Sequence, residues 1–194
     1  NGYVHNHARM WLASYLVHLR KVHWRAGADW LYGHLLDGDL ASNHLSWQWI
    51  AGTGSHRPYL FNASNVLRYA PADWQVAGTC LDATYAELEA VAGNPGQRFE
   101  PGLDIDNEGI DEPEMLSAPS GAVQAAGTLD LDGCDVWLVH PWCLADPPAE
   151  LRPVAVLDAA FHARWPWGAR RWRFVMQRMR SLCNPPVGME APGR

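Results

Sequence analysis

The chain has 194 residues, of which 48% are apolar and 19% charged, and its formal net charge is −6. This composition is typical of a globular protein of one or two domains. The four cysteines lack CxxC spacing, which argues against a zinc ribbon or a disulfide framework. The most apolar early stretch, 11–19, is interrupted by Ser14 and His18 and falls short of the ~20 residues of a membrane span, so we expect a soluble, cytoplasmic protein.

The first predicted element is a helix that carries Asn6 and Arg9, which at i and i+3 share one helix face. His5 and His7 lie two residues apart, a strand spacing within a predicted helix, and no carboxylate or cysteine accompanies them at ligand spacing. We therefore expect no metal site, and we expect His5 to be a packed or capping residue.

A second helix is predicted to begin at Asp39, a good N-cap residue, and to end near Gly52. Asn43 and Trp47 follow Asp39 at steps of four, so a carboxylate, an amide and an indole form one stripe about 12 Å long. A planar heteroaromatic ring with imide and carbonyl edges fits such a stripe, because the carboxylate accepts from its N–H and Arg9 supplies a cation.

Tryptophan is unusually frequent, with eleven in the chain and five in the first 49 residues. An aromatic stripe at helical spacing, taken alone, indicates core packing more often than a cofactor site. In this chain, the order and spacing of several separate motifs favour a cofactor site.

Those motifs are NGYVHNHARM at 1–10, Trp24-Arg25, DGDLA at 37–41, Asn43 and WQW at 47–49. Together they closely resemble the C-terminal helical FAD domain of the photolyase/cryptochrome family, over about residues 1–62. The resemblance implies FAD as the cofactor.

The resemblance also implies roles for individual side chains. The residues expected around the flavin ring are Asn6, Arg9, Asp37, Asp39 and Asn43. Within this set, Asp37 is expected to pair with Arg9, and Asn43 matches the asparagine beside flavin N5 in repair enzymes.

The remaining implied roles concern electron transfer and substrate. Trp47 matches the flavin-proximal member of the tryptophan electron-transfer chain, and Trp24 matches the middle member. Trp49, Met10 and Asn6 are the candidates for contact with a flipped-out pyrimidine dimer.

Two departures from the family pattern stand out. His7 occupies a position that is typically an arginine that contacts DNA, and 58–63, where the family has an Arg and Phe-Asn-Pro, has neither that Arg nor that Pro. The antenna domain and the Ser/Thr-rich FAD phosphate cradle have no counterpart before Asn1. We therefore expect a fragment of a longer protein.

The later sequence differs in character. Residues 87–135 hold twelve acidic residues against Arg98 alone, with a short helix predicted at 85–92. Apolar runs at 136–139 and 153–157 predict two buried strands, paired in parallel. The expected fold is mainly α, a portion of the helical FAD-binding domain at 1–66, followed by a loop-rich acidic connection at 67–133 and a small α/β segment at 134–194.

The run 169–182 predicts an amphipathic basic helix, with Trp172, Val175, Met176 and Met179 on one face. The arginines expected around the other faces are Arg170, Arg171, Arg173, Arg178 and Arg180. They either contact DNA phosphates or form a solvated face. The whole segment weakly resembles the opening of the family's antenna domain, or it is a C-terminal extension.

Three functions follow from these expectations. The first is a blue-light-dependent photolyase-like lyase that acts on pyrimidine dimers in damaged DNA. The second is a cryptochrome-like flavin photosensor without repair activity, and the third is a degenerate fragment without cofactor. In each case we expect a monomer that binds neither membrane nor metal.

Overall fold

The computed structural model describes residues 2–74, 76–97, 113–119 and 131–183. The chain divides into two compact units. The helical unit comprises 3–32 and 37–111, and the α/β unit comprises 1–2, 33–36 and 112–194. The predicted fold class, mainly α with a small α/β segment near the C-terminus, is confirmed. Within the described residues, no helix is long and apolar enough to cross a membrane.

The helices of the first unit follow one another closely along the chain. They are α1 (Asn6–Ser14), a π-helix (Tyr15–Leu19), α2 (Trp24–His34), α3 (Leu40–Ala51), α4 (Ala63–Tyr69) and α5 (Tyr85–Gly93). His5 caps α1, because its ring accepts from the backbone N–H of His7 at 3.3 Å, and this confirms the prediction of a capping residue. The last two residues of α2 belong to the α/β unit.

The bounds predicted for α3 are confirmed. The Asp39 carboxylate accepts from the backbone N–H of Ser42 at 2.7 Å, which satisfies one of the free donors at the helix start. At the other end, Gly52 adopts a left-handed conformation with φ of 77°, which a glycine adopts without steric cost.

The π-helix was not predicted from the sequence. Its wider turn accompanies an inward-facing His18, whose Nε2 lies 2.8 Å from the carbonyl oxygen of Ile50 near the end of α3. Burial lowers the pKa of His18, so the ring is neutral at pH 7 and its Nε2–H donates to that carbonyl. This bond ties the segment that follows α1 to α3, and α1 itself packs against α3.

The Trp47 side chain of α3 packs against the α2 backbone at Gly27. A Cβ atom at this position would overlap the six-membered ring of Trp47, so only glycine allows the approach. On the adjacent turns, the Asn43 amide nitrogen donates to the carbonyl of Ala28 at 2.8 Å, and His44 contacts Asp29 at 2.7 Å.

The helix predicted at 85–92 is observed as α5. It begins with a capping box, in which Thr84 and Glu87 satisfy each other's backbone donors. It ends against Lys21, whose Nζ donates to the carbonyls of Val91 at 2.6 Å and Ala92 at 3.1 Å. Within the predicted acidic connection at 67–133, residues 75, 98–112 and 120–130 lie outside the described residues.

In the part of the α/β unit that the structure describes, the strands form two small sheets. Its elements are β1 (Met115–Leu116), β2 (Val136–Val139), β3 (Arg152–Ala155), α6 (Ala159–Arg164), β4 (Trp167–Gly168) and α7 (Ala169–Leu182). β2 and β3 pair in parallel, as predicted, and β1 pairs with β4 antiparallel. The prediction that both paired strands are buried is wrong for β2, because Leu138 is 54% exposed.

The apolar face predicted for α7 forms part of the unit's core, since Trp172, Val175 and Met179 are all buried. The prediction that Arg171 lies on an outer face is wrong. Arg171 is 2% exposed, and its guanidinium carbon lies 3.7 Å from the centroid of the Trp167 ring. Cation–π attraction and packing of the aliphatic stem stabilise this inward position.

A buried histidine lies within the same core. The ring of His162 stacks on Trp142 with centroids 5.6 Å apart, and the centroids of Trp167 and Trp172 both lie 4.5 Å away. Burial, helped by the nearby Arg171 guanidinium, lowers the pKa of His162 to about 4.

Gly27→Ala is expected to lower the free energy of unfolding by about 1–3 kcal/mol, because the added methyl group displaces the Trp47 ring. Gly93→Ala is the matched control, since no atom lies within 4 Å of a Cβ there. Urea unfolding of both variants, followed by circular dichroism, measures the difference. Equal stability of the two variants would contradict the close approach.

Acidification is expected to destabilise the α/β unit. The pKa of His162 is lower in the folded than in the unfolded chain. Its contribution to the free energy of unfolding is therefore complete above about pH 6.5 and is lost as the pH falls towards 4. The loss amounts to at most about 3 kcal/mol. Urea unfolding at several pH values checks this, and in His162→Gln the pH dependence should be shallower over this range. An unchanged slope in that variant would refute the assignment.

Candidate flavin-ring site

A cleft of about 200 Å³ lies between α1 and α3 in the helical unit. Its lining residues are Asn6, Arg9, Met10, Asp37, Gly38, Asp39, Ser42, Asn43, Ser46, Trp47 and Ile50. All five side chains predicted to surround the ring are among them, together with Trp47 and Met10. The cleft therefore brings together two sequence blocks that are thirty residues apart.

The α1 wall is organised by an ion pair. The Arg9 guanidinium donates from Nη2 to both carboxylate oxygens of Asp37, at 2.8 and 2.9 Å, which is the pairing that the resemblance implies. Arg9 also donates from Nε to the carbonyl of Val4 at 2.6 Å. Asn6 and Met10 lie on the same face of α1 and complete this wall.

The α3 wall carries the predicted stripe of carboxylate, amide and indole. The backbone N–H of Ser42, helped by its hydroxyl, holds the pKa of the Asp39 carboxyl below its ordinary value, so Asp39 is ionised at neutral pH. One amide N–H of Asn43 is anchored to α2 through the carbonyl of Ala28. Trp47 is 2% exposed and fixes the floor of the cleft.

Two predicted residues lie outside the cleft lining. Trp24 begins α2 and is partly exposed, with its ring stacked on His23 at 5.9 Å between centroids. Trp49 is 47% exposed and contacts Tyr59, whose ring centroid is 5.5 Å away. Since Trp49 is only two residues beyond Trp47, it projects from a different side of α3.

Sequence reasoning missed four lining residues, Gly38, Ser42, Ser46 and Ile50. The two serines could have been found from the sequence. Ser42 follows Asp39 by three residues and Ser46 follows Ser42 by four, so all three share one helix face. Ser46 donates its hydroxyl to the carbonyl of Ser42 at 2.7 Å, which places both on one line along the cleft. In the described part of the chain, no group of three or more His, Cys, Asp or Glu side chains is placed to hold a metal.

Comparison with known proteins identifies the fold that this cleft belongs to. Residues 1–87 match the family model described as the FAD binding domain of DNA photolyase. Residues 1–87 of this chain therefore form part of a photolyase-type FAD-binding domain. The match continues past residue 62, where sequence reasoning ended the resemblance, and it includes all of α4 and the start of α5.

Several relatives carry the name deoxyribodipyrimidine photo-lyase. The one from Streptomyces griseus is 52% identical over 54 residues, which cover 28% of this chain and 12% of the relative. The one from Agrobacterium fabrum is 31% identical over 128 residues, 66% of this chain and 23% of the relative. The one from Escherichia coli is 42% identical over 64 residues, 33% and 14% of the two chains. The chain thus spans less than a quarter of these relatives, and no solved structure matches it.

The family assignment makes FAD the cofactor, and the residues of the cleft fit its ring system. An isoalloxazine ring presents an imide N–H and two carbonyls, which the ionised Asp39, the Arg9 guanidinium and the amide of Asn6 can complement. The cleft volume lies below the roughly 300–1,000 Å³ of sites that enclose a whole drug-sized ligand. Arg9 is the sole cation among the described lining residues, so the site suits the ring and not the phosphates.

Replacement of Asp39 is expected to weaken FAD binding. Asp39→Ser keeps a good helix N-cap but removes the carboxylate, whereas Asp39→Ala removes both. Loss of a charged acceptor costs about 1.5–3 kcal/mol, which corresponds to roughly a 10- to 150-fold rise in the dissociation constant. Flavin fluorescence titration measures this.

The serine variant separates the two roles of Asp39. Both variants should bind FAD equally weakly, while only Asp39→Ala should also lose about 1 kcal/mol of stability. Unchanged FAD affinity in Asp39→Ser would place the imide edge elsewhere.

Proposed function

We propose that this chain supplies the ring-binding wall of a blue-light-dependent flavoprotein that repairs pyrimidine dimers in DNA. The observation that carries the proposal is the cleft itself, which assembles Asn6, Arg9, Asp37, Asp39 and Asn43 around a volume suited to a flavin ring. When bound, FAD supplies light-driven one-electron transfer. The chain's own residues bind the ring, fix its electronics and conduct electrons to it.

Each wall of the cleft has a distinct task in this proposal. Asp39 accepts from the imide edge, and Arg9, held by Asp37, stabilises negative charge on the ring carbonyls. Asn43, which is anchored on α2 through the carbonyl of Ala28, would lie beside the reactive nitrogen of the bound ring. These contacts favour a reduced, electron-rich ring, which the repair of a dimer requires.

Electron supply and substrate contact use the remaining residues. Trp47, buried against the cleft, is the electron donor nearest the ring, and the partly exposed Trp24 is the next donor. Met10 lines the cleft, where together with Asn6 it contacts the flipped-out dimer. Trp49, 47% exposed, offers an indole face on which an extruded base can stack.

A cryptochrome-like photosensor is the second candidate, and one observation favours it. His7 stands where repair enzymes carry an arginine for DNA, and its ring packs against Trp11 and Tyr69 at centroid distances of 4.6 and 5.0 Å. A side chain held in this aromatic cluster is less available for a phosphate contact. In this candidate the same flavin and tryptophans produce a light-dependent charge state that a partner detects.

The full chain with added FAD should split cyclobutane dimers in an ultraviolet-irradiated oligothymidylate under blue light with a reductant present. Recovery of thymine absorbance measures repair, and a dark sample is the control. Photoreduction of FAD without recovery of thymine absorbance would contradict the lyase proposal and support the photosensor. No uptake of FAD would instead support the cofactor-free fragment.

A further inference from the structure

The exposed face of α7 in the α/β unit carries arginines that take no part in the flavin-ring cleft. α7 contains five arginines and no acidic residue. Arg171 is buried on Trp167, and Arg178 is paired with Asp146 at 2.8 Å and with the carbonyl of Leu144 at 3.2 Å. The other three, Arg170, Arg173 and Arg180, are exposed on one side of the helix.

A groove of about 380 Å³ runs along this side of α7. Arg173, Gln177 and Arg180 form its rim, and Trp172 and Met176 lie in its floor. No carboxylate is among its lining residues in the described part of the chain. Guanidinium and amide donors at such a rim are the groups that contact phosphate oxygens.

The charge distribution of the whole chain agrees with an anionic partner. Twelve of its 21 acidic residues fall within 87–135, which leaves nine acidic against fourteen basic residues elsewhere. Although the net charge of the chain is −6, the residues outside 87–135 are therefore basic overall. Among them, α7 has a high density of basic residues. A local positive surface attracts a polyanion even where the net charge is negative.

The structure also argues against a membrane surface as this partner. An interfacial helix inserts its apolar face among the lipids. The apolar residues of α7, including Trp172, Val175 and Met176, are already buried in the core of the unit. The outer face offers arginines and one exposed aromatic ring, Phe174, which is 50% exposed.

We propose that the outer face of α7 binds the phosphate backbone of duplex DNA through Arg173 and Arg180, with Arg170 beside them. In naming DNA, this inference rests on the proposed function. Arg173 and Arg180 are seven positions apart, which corresponds to about 10 Å of helix axis, and phosphates of one DNA strand follow every ~3.4 Å of duplex axis. The two guanidiniums therefore contact different phosphates. The contact is independent of lesion, light and flavin, because it involves the backbone alone.

The test is the binding of the full chain to an undamaged, fluorescein-labelled 20-base-pair duplex, in the dark and without FAD. Fluorescence anisotropy over a range of salt concentrations gives the slope of log affinity against log salt. Each phosphate contact contributes about 0.9 to the magnitude of this slope. Arg173→Gln/Arg180→Gln is therefore expected to reduce it by about 2 and to weaken binding at low salt.

Two further variants separate a specific surface from a general charge effect. Arg152→Gln/Arg164→Gln removes the same charge from exposed positions elsewhere in the α/β unit, and it should leave the slope unchanged. Arg173→Lys/Arg180→Lys keeps the charge and should retain most of the slope, with circular dichroism confirming an intact helix in every variant.

The proposal would be overturned if Arg173→Gln/Arg180→Gln and Arg152→Gln/Arg164→Gln reduced the salt slope equally. It would also be overturned if Arg173→Gln/Arg180→Gln left the slope unchanged. Tighter binding through the same arginines to duplex RNA or to phosphatidylserine vesicles, at equal phosphate concentration, would overturn the choice of DNA. Because FAD and lesions are absent from this experiment, its failure and a failure of photorepair are distinguishable.

Discussion

The close approach of α2 and α3 at Gly27 is the constraint on which the candidate site depends. Since Gly27 has no side chain, the Trp47 ring lies directly against the α2 backbone. This position of α3 lets Asn43 reach the carbonyl of Ala28 and His44 reach Asp29. A larger residue at 27 would displace the helix that carries most of the cleft's polar groups.

The second wall depends on α1 being held in register with α3. His18 donates to the carbonyl of Ile50 from within the π-helix, and Ser14 donates its hydroxyl to the carbonyl of Tyr59 at 2.7 Å. Both bonds are made by buried side chains to backbone groups, where an unsatisfied partner is costly. The π-helix extends α1 from Tyr15 to Leu19, and π-helical turns are frequent at functional sites.

The α/β unit uses aromatic packing in a different way. Its core combines Trp167, Trp172, His162 and the inward-facing Arg171, so two groups that are usually charged or polar lie among indole rings. Because Arg171 is buried and Arg178 is paired with Asp146, three of the five arginines of α7 are exposed outside these contacts. The basic surface is thus smaller than the sequence indicates, but it is confined to one side of the helix.

The sequence by itself determined α3 with its caps, the shared faces of α1 and α3, the parallel pair β2–β3 and the resemblance of residues 1–62 to the photolyase/cryptochrome family. These features depend on residues close in the chain, whose effects follow from helical spacing and capping chemistry. Only the tertiary structure decided that His18 turns inward, that Arg171 is buried and that Trp49 lies outside the cleft. Each of these depends on a neighbour distant in sequence or on the direction in which a side chain projects, and local periodicity carries no information about such neighbours.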